Sequence, residues 1–445
     1  MNSGEDGPGL HASIKPVELL SRASPAFALR VSFVLLEFAG SLLAARLLGL
    51  DQFGVYSYVM AWVGLLAVPA ALGFDRLLVR RVAIEAARFH WAEVLRLARH
   101  ATIMVLAISS ALAIAFAGAG RVFAGSNPGL SSAMLAGAGL IPLLAYARVR
   151  QAVLQGLGHV PTGLLPESIV QPGVFAAACG LALIAAPDRL SGTVGVLLQV
   201  VAAATACGVG FMLLHTRMPR APGDATAELR EPFGIRNALP FIWMLAMNVS
   251  IMNMDTIAIG WMLGAEVTGP YRTASQMAAF IAFPLTAVNL VIAPRLAAMH
   301  GAGDWRQFQQ VVHAGARISL VAGLGIFVVW LVAGKQVLQL FGPGFESGYP
   351  ILMTLSCAYL VNSAVGVAGY VLIMTRFERE AALCFSAGAA VDVLLCLVLI
   401  PRMGAAGGAI ATSAAIVTLG VGMLAMAKRR TGVNSFALAP SPRAG

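Results

Sequence analysis

Long apolar stretches alternate with short polar ones along almost the whole chain. A helix of roughly 20 apolar residues is long enough to cross the hydrocarbon core of a bilayer. Twelve such segments are predicted, at residues 25–48, 54–79, 98–120, 129–156, 161–186, 190–216, 236–263, 267–297, 311–334, 347–374, 380–401 and 404–428. Helices are expected because an open sheet would leave its edge amides unpaired in lipid. The pattern therefore predicts an all-α polytopic membrane protein.

The second half of the chain repeats features of the first half. Matching residues lie 215 positions apart, as in Leu48 and Leu263, Gly49 and Gly264, Gly54 and Gly269, Tyr56 and Tyr271, and Pro69 and Pro284. Further matches at slightly different spacings carry the similarity through most of each half. Two homologous lobes in a membrane protein are typical of transporters, whose substrate path runs between the lobes.

The chain is accordingly divided into five parts. They are an N-terminal tail at residues 1–24, a six-helix lobe at 25–216, a linker at 217–235, a second six-helix lobe at 236–428 and a C-terminal tail at 429–445. The linker contains prolines, glycines and mixed charges that a spanning helix would not tolerate. Because each lobe has an even number of helices, we expect both lobes to share one orientation, with their pseudo-two-fold axis along the membrane normal.

Composition and charge agree with this pattern and exclude a soluble globular protein. Hydrophobic residues make up 59% of the chain, charged residues only 11%, and the mean hydropathy is +0.82. The cations behind the net charge of +10 are concentrated in the tails, the linker and the loops of one predicted side. This distribution predicts cytoplasmic termini and makes the bilayer, not nucleic acid, the partner of the basic residues. The polar first 24 residues predict no cleaved signal peptide.

Little in the sequence indicates catalysis or a bound cofactor. The five cysteines lie inside apolar segments without CxxC spacing, which favours small buried residues over a disulfide framework or a metal site. The predicted outer loops are too short to fold as a catalytic domain. A GxxxxGK[ST] loop is absent from the sequence, so we do not expect direct coupling to ATP.

Ionisable and amide side chains inside the apolar segments are the candidate functional residues, because such groups are costly in lipid and usually face a cavity or one another. The candidates for binding an anionic substrate are Arg30, Arg148, Arg150, Arg272, Asn248 and Gln276. The candidates for coupling to H⁺ or Na⁺ are Glu37, Asp255 and Asp392. Arginine suits phosphate because its planar fork donates two hydrogen bonds and stays charged.

Structural ion pairs are the competing interpretation of the same charges. Glu37 would then pair with Arg30 or Arg46, and Asp255 with Arg272, to hold the lobes together. The sequence leaves both interpretations open.

Several motifs resemble those of the Wzx-type polysaccharide and oligosaccharide-lipid flippases, relatives of the MATE drug exporters and the lipid II flippases. The motifs are Arg46-Leu47-Leu48-Gly49 with Asp51-Gln52-Phe53-Gly54-Val55-Tyr56, the stretch Leu72–Arg80, Met254-Asp255-Thr256 with Val267-Thr268-Gly269-Pro270-Tyr271, and Gly404–Thr412. The resemblance spans residues 25–428 and implies a MATE-like fold. It further implies a flippase that carries a polyprenyl-diphosphate-linked glycan across the bacterial cytoplasmic membrane by alternating access, with polysaccharide assembly proteins as further partners.

Other functions remain as alternatives. A cation-coupled multidrug antiporter of the same fold is the nearest one, although it favours acids over arginines in the cavity. A carrier of the major facilitator type also has two six-helix lobes, and a lipid II flippase normally carries two further helices. A membrane glycosyltransferase or polymerase would need a larger aqueous loop than this sequence offers.

Overall fold

The computed structural model describes residues 16–70, 74–123, 128–185, 190–218, 235–375 and 377–439. Almost all of these residues are helical, which confirms the all-α prediction. The first lobe contains α1 (Pro16–Ala70), α2 (Phe74–Ala87), α3 (Trp91–Phe123), α4 (Pro128–Ala138), α5 (Leu140–Gly156), α6 (Val160–Leu165), a π-helical turn (Pro166–Val170), α7 (Gln171–Ala185) and α8 (Gly192–Arg217). Most of the predicted linker lies outside the described residues.

The second lobe follows the same plan. It contains α9 (Ile235–Leu263), α10 (Ala265–Ala279), a 3-10 turn (Phe280–Ala282), α11 (Phe283–Ala302), α12 (Trp305–Phe341), a second 3-10 turn (Phe345–Gly348), α13 (Tyr349–Val365), α14 (Ala368–Met374), α15 (Glu378–Met403) and α16 (Ala405–Thr431). Helix α1 begins nine residues before the end of the predicted N-terminal tail, and α16 continues three residues into the predicted C-terminal tail.

The number of membrane crossings agrees with the sequence. Ten helical stretches of the described residues are long and apolar enough to cross a membrane. The first stretch contains two crossings, because Gly49 has a φ of 75° and a ψ of 178° and breaks the helix. Phe33 and Gly64 flank this break and line one cavity, although a continuous helix would hold them roughly 45 Å apart. The 29-residue helix α9 adds a further crossing, so all twelve predicted segments coincide with helices.

Prolines mark equivalent breaks in the two lobes. Helix α1 ends at Ala70, one residue after Pro69. In the second lobe, the 3-10 turn separates α10 from α11, and Pro284 occupies the first turn of α11. Proline is tolerated there because the first amides of a helix have no intrahelical acceptor. The bend predicted at Pro284 is therefore present as a break between two helices.

The lobes contact each other through a reciprocal pair of glycines. A Cβ atom on Gly54 would lie 1.8 Å from the backbone oxygen of Ala265, and a Cβ atom on Gly269 would lie 2.8 Å from that of Leu50. Gly54 and Gly269 are separated by the repeat spacing of 215 residues, and so are Leu50 and Ala265. Each lobe therefore presents the same surface to the other, as expected at an isologous contact across a two-fold axis.

The predicted burial of the cysteines is confirmed for four of the five. All five are free, and Cys179, Cys207, Cys384 and Cys396 are buried. Cys357 is exposed, so the prediction is wrong for this residue. An apolar membrane helix also has an outward face, and hydrophobicity alone does not distinguish that face from the core.

Candidate functional site

A cavity of about 460 Å³ lies between the lobes. Both halves of α1 contribute to its wall, together with α5, the π-helical turn, α7 and α8 of the first lobe and α10 of the second. Its polar lining residues are Glu37, Ser41, Ser57, Arg148, Gln151, Glu167, Gln171, Gln199, Arg272 and Gln276. A water-accessible space lined by charged and amide groups at the lobe interface has the character of a transporter binding site.

Glu37, Arg272 and Gln276 lie where this cavity meets a second one of about 260 Å³. Arg30 lines the second cavity, with its guanidinium 5.6 Å from the centre of the Phe33 ring. The charged neighbours of Glu37 are Arg272 and Arg30. One acid and two arginines from both lobes therefore share the junction, which leaves a positive balance for an anionic ligand.

The two lobes are joined by a hydrogen bond in this region. The Ser41 hydroxyl donates to Oε1 of Gln276 at 2.9 Å. Spacings of seven and four residues place Arg30, Glu37 and Ser41 on one face of α1, and Arg272 and Gln276 are four residues apart on α10. Helical periodicity thus brings these groups to the lobe interface from both sides.

Arg148 and Arg150 differ in their positions although both were candidates for the cavity. Arg148 is part of the lining, whereas Arg150 is 1% exposed and is absent from the lining. Arg150 forms an ion pair with Glu167, whose side chain does line the cavity. Gly210 leaves room for this arginine, since a Cβ atom there would lie 2.3 Å from its Cζ. The two arginines are two residues apart on α5, so they point to nearly opposite faces.

Asn248, Asp255 and Asp392 lie away from the two cavities described above. Asn248 is half-buried on α9 and belongs to neither lining. Asp255 and Asp392 are 1% and 0% exposed. The proposed ion pair between Asp255 and Arg272 is not formed; instead Arg272 donates to the backbone oxygen of Met252 at 3.4 Å.

The two buried aspartates form a cluster within the second lobe. The Tyr271 hydroxyl donates to Oδ2 of Asp255 at 2.7 Å. The Thr412 hydroxyl lies 3.2 Å from the same oxygen and 3.0 Å from Oδ1 of Asp392. Oδ2 of Asp392 has no hydrogen-bond partner among the described residues. Across the part of the chain that the structure describes, no group of three or more His, Cys, Asp or Glu side chains could hold a metal ion.

We expect replacement of Thr412 by valine to destabilise the protein by about 1 to 2 kcal/mol, because the variant leaves two buried carboxyl groups without their shared hydroxyl. Thermal unfolding of the purified protein measures this effect. The Thr412→Ser variant keeps the hydroxyl and should unfold close to the wild-type temperature. Equal unfolding temperatures for the valine variant and the wild type would show that the bridge contributes nothing to stability.

Ser57 and Gln199 are cavity residues that the sequence reasoning missed. Attention to charged groups passed over both, because neither carries a charge. An amide at position 199 inside an apolar segment was the available signal, since uncharged polar groups in lipid also require a partner. Ser57 offered no comparable signal, because serine is common in membrane helices.

Comparison with known proteins places the chain in a known family. Residues 28–300 match the model of a family described as polysaccharide biosynthesis protein. No curated protein matches the sequence.

The fold resembles solved structures of membrane transporters. A MATE family multidrug transporter in an inward-facing conformation has a TM-score of 0.73 and 13% identity, with 89% of this chain and 94% of that chain covered. The MATE multidrug transporter DinF-BH has a TM-score of 0.69 and 16% identity, covering 99% and 100%. The lipid II flippase MurJ in an inward closed conformation has a TM-score of 0.65 and 12% identity, covering 92% and 87%. These likenesses establish a MATE-like fold.

Proposed function

The chain belongs to the polysaccharide biosynthesis protein family, and on that premise we propose that it is a flippase for a polyprenyl-diphosphate-linked oligosaccharide. It is a multi-pass membrane protein with the fold of transporters and flippases. In the proposed function it acts in the bacterial cytoplasmic membrane, with both termini in the cytoplasm. The two lobes rock about the cavity, which opens first to one side of the membrane and then to the other.

The position of Arg272 is the observation that carries this proposal. Its side chain lines both cavities at the lobe interface, and Arg30 and Arg148 each line one of them. A diphosphate offers several acceptor oxygens and negative charge, which the donors of these guanidinium groups match. The glycan follows into the cavity, and the polyprenyl chain stays in the bilayer, where its burial costs nothing.

Coupling to an ion gradient is the proposed source of energy. Asp255 and Asp392 share the Thr412 hydroxyl in the second lobe, and Glu37 lies at the junction of the two cavities. Two carboxyl groups that close together in a buried site favour uptake of a proton or a cation, since both cannot easily stay charged. We propose that H⁺ or Na⁺ exchange at these acids drives the rocking of the lobes.

A deletion strain tests the proposed function. Loss of the flippase should leave lipid-linked oligosaccharide accumulated in membrane extracts while surface polysaccharide disappears, because the intermediate can no longer reach the outer side. The wild-type gene should restore both. Quantitative extraction of the glycolipid and an assay of surface polymer measure the outcome. Unchanged glycolipid and polymer together with altered drug susceptibility would instead establish the multidrug antiporter.

A further inference from the structure

We propose that the first-lobe wall of the central cavity is a sugar subsite, which binds the hydroxyl or amide N–H groups of the monosaccharide next to the diphosphate through Ser57, Glu167 and Gln199. The inference rests on the proposed function, and it assigns the two parts of the substrate head group to opposite walls of one cavity. The arginines take the phosphates, and the first lobe takes the sugar.

Three polar atoms of this wall lack a partner in the protein. Oγ of Ser57, Oε2 of Glu167 and Oε1 of Gln199 are buried and have no hydrogen-bond partner within the described residues. All three side chains line the cavity, and Ser57 is only 2% exposed. Most buried polar groups in proteins are hydrogen-bonded, and an unpartnered group costs roughly 1 to 3 kcal/mol. Three such atoms along one wall are therefore candidates for ligand contacts.

The kind of atom determines the kind of ligand. The carboxylate oxygen of Glu167 and the amide oxygen of Gln199 accept hydrogen bonds and cannot donate them. A diphosphate has acceptor oxygens only, so it cannot satisfy these atoms. Sugar hydroxyl and acetamido N–H groups are donors and match them. The opposite wall, with Arg272, offers donors only and matches the phosphates.

Charge also favours a neutral ligand at this wall. Glu167 forms an ion pair with the buried Arg150, so its negative charge is already compensated. A free cation would therefore gain little there, whereas neutral hydroxyl groups can still donate to the remaining carboxylate oxygen. Gln151 and Gln171 line the same wall and add donors and acceptors that suit a sugar with several hydroxyl groups.

The internal repeat shows that the two walls have diverged. Ser57 and Arg272 are separated by the repeat spacing of 215 residues, so they hold equivalent positions in the two lobes. Both line the same cavity from opposite sides of the pseudo-two-fold axis. One lobe thus places a cation where the other places a small neutral hydroxyl. This difference fixes the orientation of a head group that is anionic at one end and neutral at the other.

The size of the cavity limits what the subsite holds. A volume of about 460 Å³ lies within the range of about 300 to 1,000 Å³ that is typical of sites for small molecules. Tyr56 and Phe175 stack with ring centroids 5.9 Å apart and form an apolar part of the lining. The diphosphate and the sugar attached to it fit such a space, and the rest of the glycan extends beyond it.

Binding of short-chain substrate fragments to the full-length protein in nanodiscs tests the inference. The probes are farnesyl diphosphate and its conjugates with glucose and with N-acetylglucosamine. We expect at least one conjugate to bind tenfold or more tightly than farnesyl diphosphate. Ser57→Ala and Gln199→Met should each reduce this advantage about fivefold, as expected for one lost hydrogen bond, and leave binding of farnesyl diphosphate unchanged.

Gln155→Met is the matched control, because Gln155 lies one helical turn beyond Gln151 on α5 and is absent from the cavity lining. It should leave binding of all probes unchanged. Equal affinity of all three probes in the wild type, or no effect of Ser57→Ala and Gln199→Met on the sugar advantage, would overturn the sugar subsite alone. No binding of any diphosphate probe would instead overturn the proposed function.

Discussion

Replacing Arg272 with alanine should lower transport at least a hundredfold while the protein still folds and inserts. The side chain lies at the junction of the two cavities, where its charge balances Glu37 and its fork faces the position proposed for the diphosphate. Two charge-assisted hydrogen bonds at roughly 1.5 to 3 kcal/mol each account for a loss of this size. Surface polysaccharide and accumulated glycolipid in a strain that carries the variant measure the effect.

Matched substitutions separate the role of the arginine from a general effect on folding. Arg30→Ala should also abolish transport, whereas Arg30→Lys keeps a charge without the planar fork and should retain part of it. Arg402→Ala removes an exposed cation at the end of α15 and should leave transport intact. Full transport by both alanine variants at positions 30 and 272, with normal amounts of protein, would eliminate the arginine site.

Replacing Gly54 with alanine should destabilise the protein by about 3 kcal/mol and abolish transport. The added Cβ atom would lie 1.8 Å from the backbone oxygen of Ala265, and a backbone atom cannot rotate away as a side chain can. The lobes must therefore separate on this side, which costs packing energy and prevents the cavity from closing there. Thermal unfolding and transport together measure the change.

Gly118→Ala is the matched control for this substitution. Gly118 is also helical, and a Cβ atom there would meet no other group within 4 Å. The control should keep or slightly raise stability, because alanine favours helix over glycine. Gly269→Ala should resemble the variant at position 54 with a smaller effect, since its closest contact is 2.8 Å. A normal unfolding temperature for Gly54→Ala would mean that the lobes do not depend on this contact.

The architecture could be predicted from the sequence because it depends on long-range averages of hydrophobicity. A segment of 20 or more apolar residues has one stable form in lipid, and a repeat with a constant spacing identifies two equivalent lobes. The tight connection at Gly49 was also predictable, since glycine adopts a positive φ without strain and Gly264 repeats it at the equivalent position with a φ of 88°. These features are encoded locally and do not depend on distant contacts.

The candidate site was only partly predictable, because the direction of each side chain depends on helix rotation. Arg148 and Arg150 are two residues apart, and their spacing already excluded a common face; the structure places only Arg148 in the lining. Asp255 could not be assigned from the sequence, since its partner Thr412 lies 157 residues away. The roles of the cavity residues in binding and coupling stay predictions.

The reciprocal contact between Gly54 and Gly269 bears on the origin of the chain. A surface that is its own complement across a two-fold axis can join two separate copies of one half as readily as it joins two halves of a single polypeptide. In a homodimer, however, every substitution appears on both sides of the axis at once. Fusion of two copies into one gene removes this constraint, and only then can Arg272 face a serine at the equivalent position. The covalent link therefore contributed more than a tether, because it allowed an asymmetric substrate to be matched by a nearly symmetric frame.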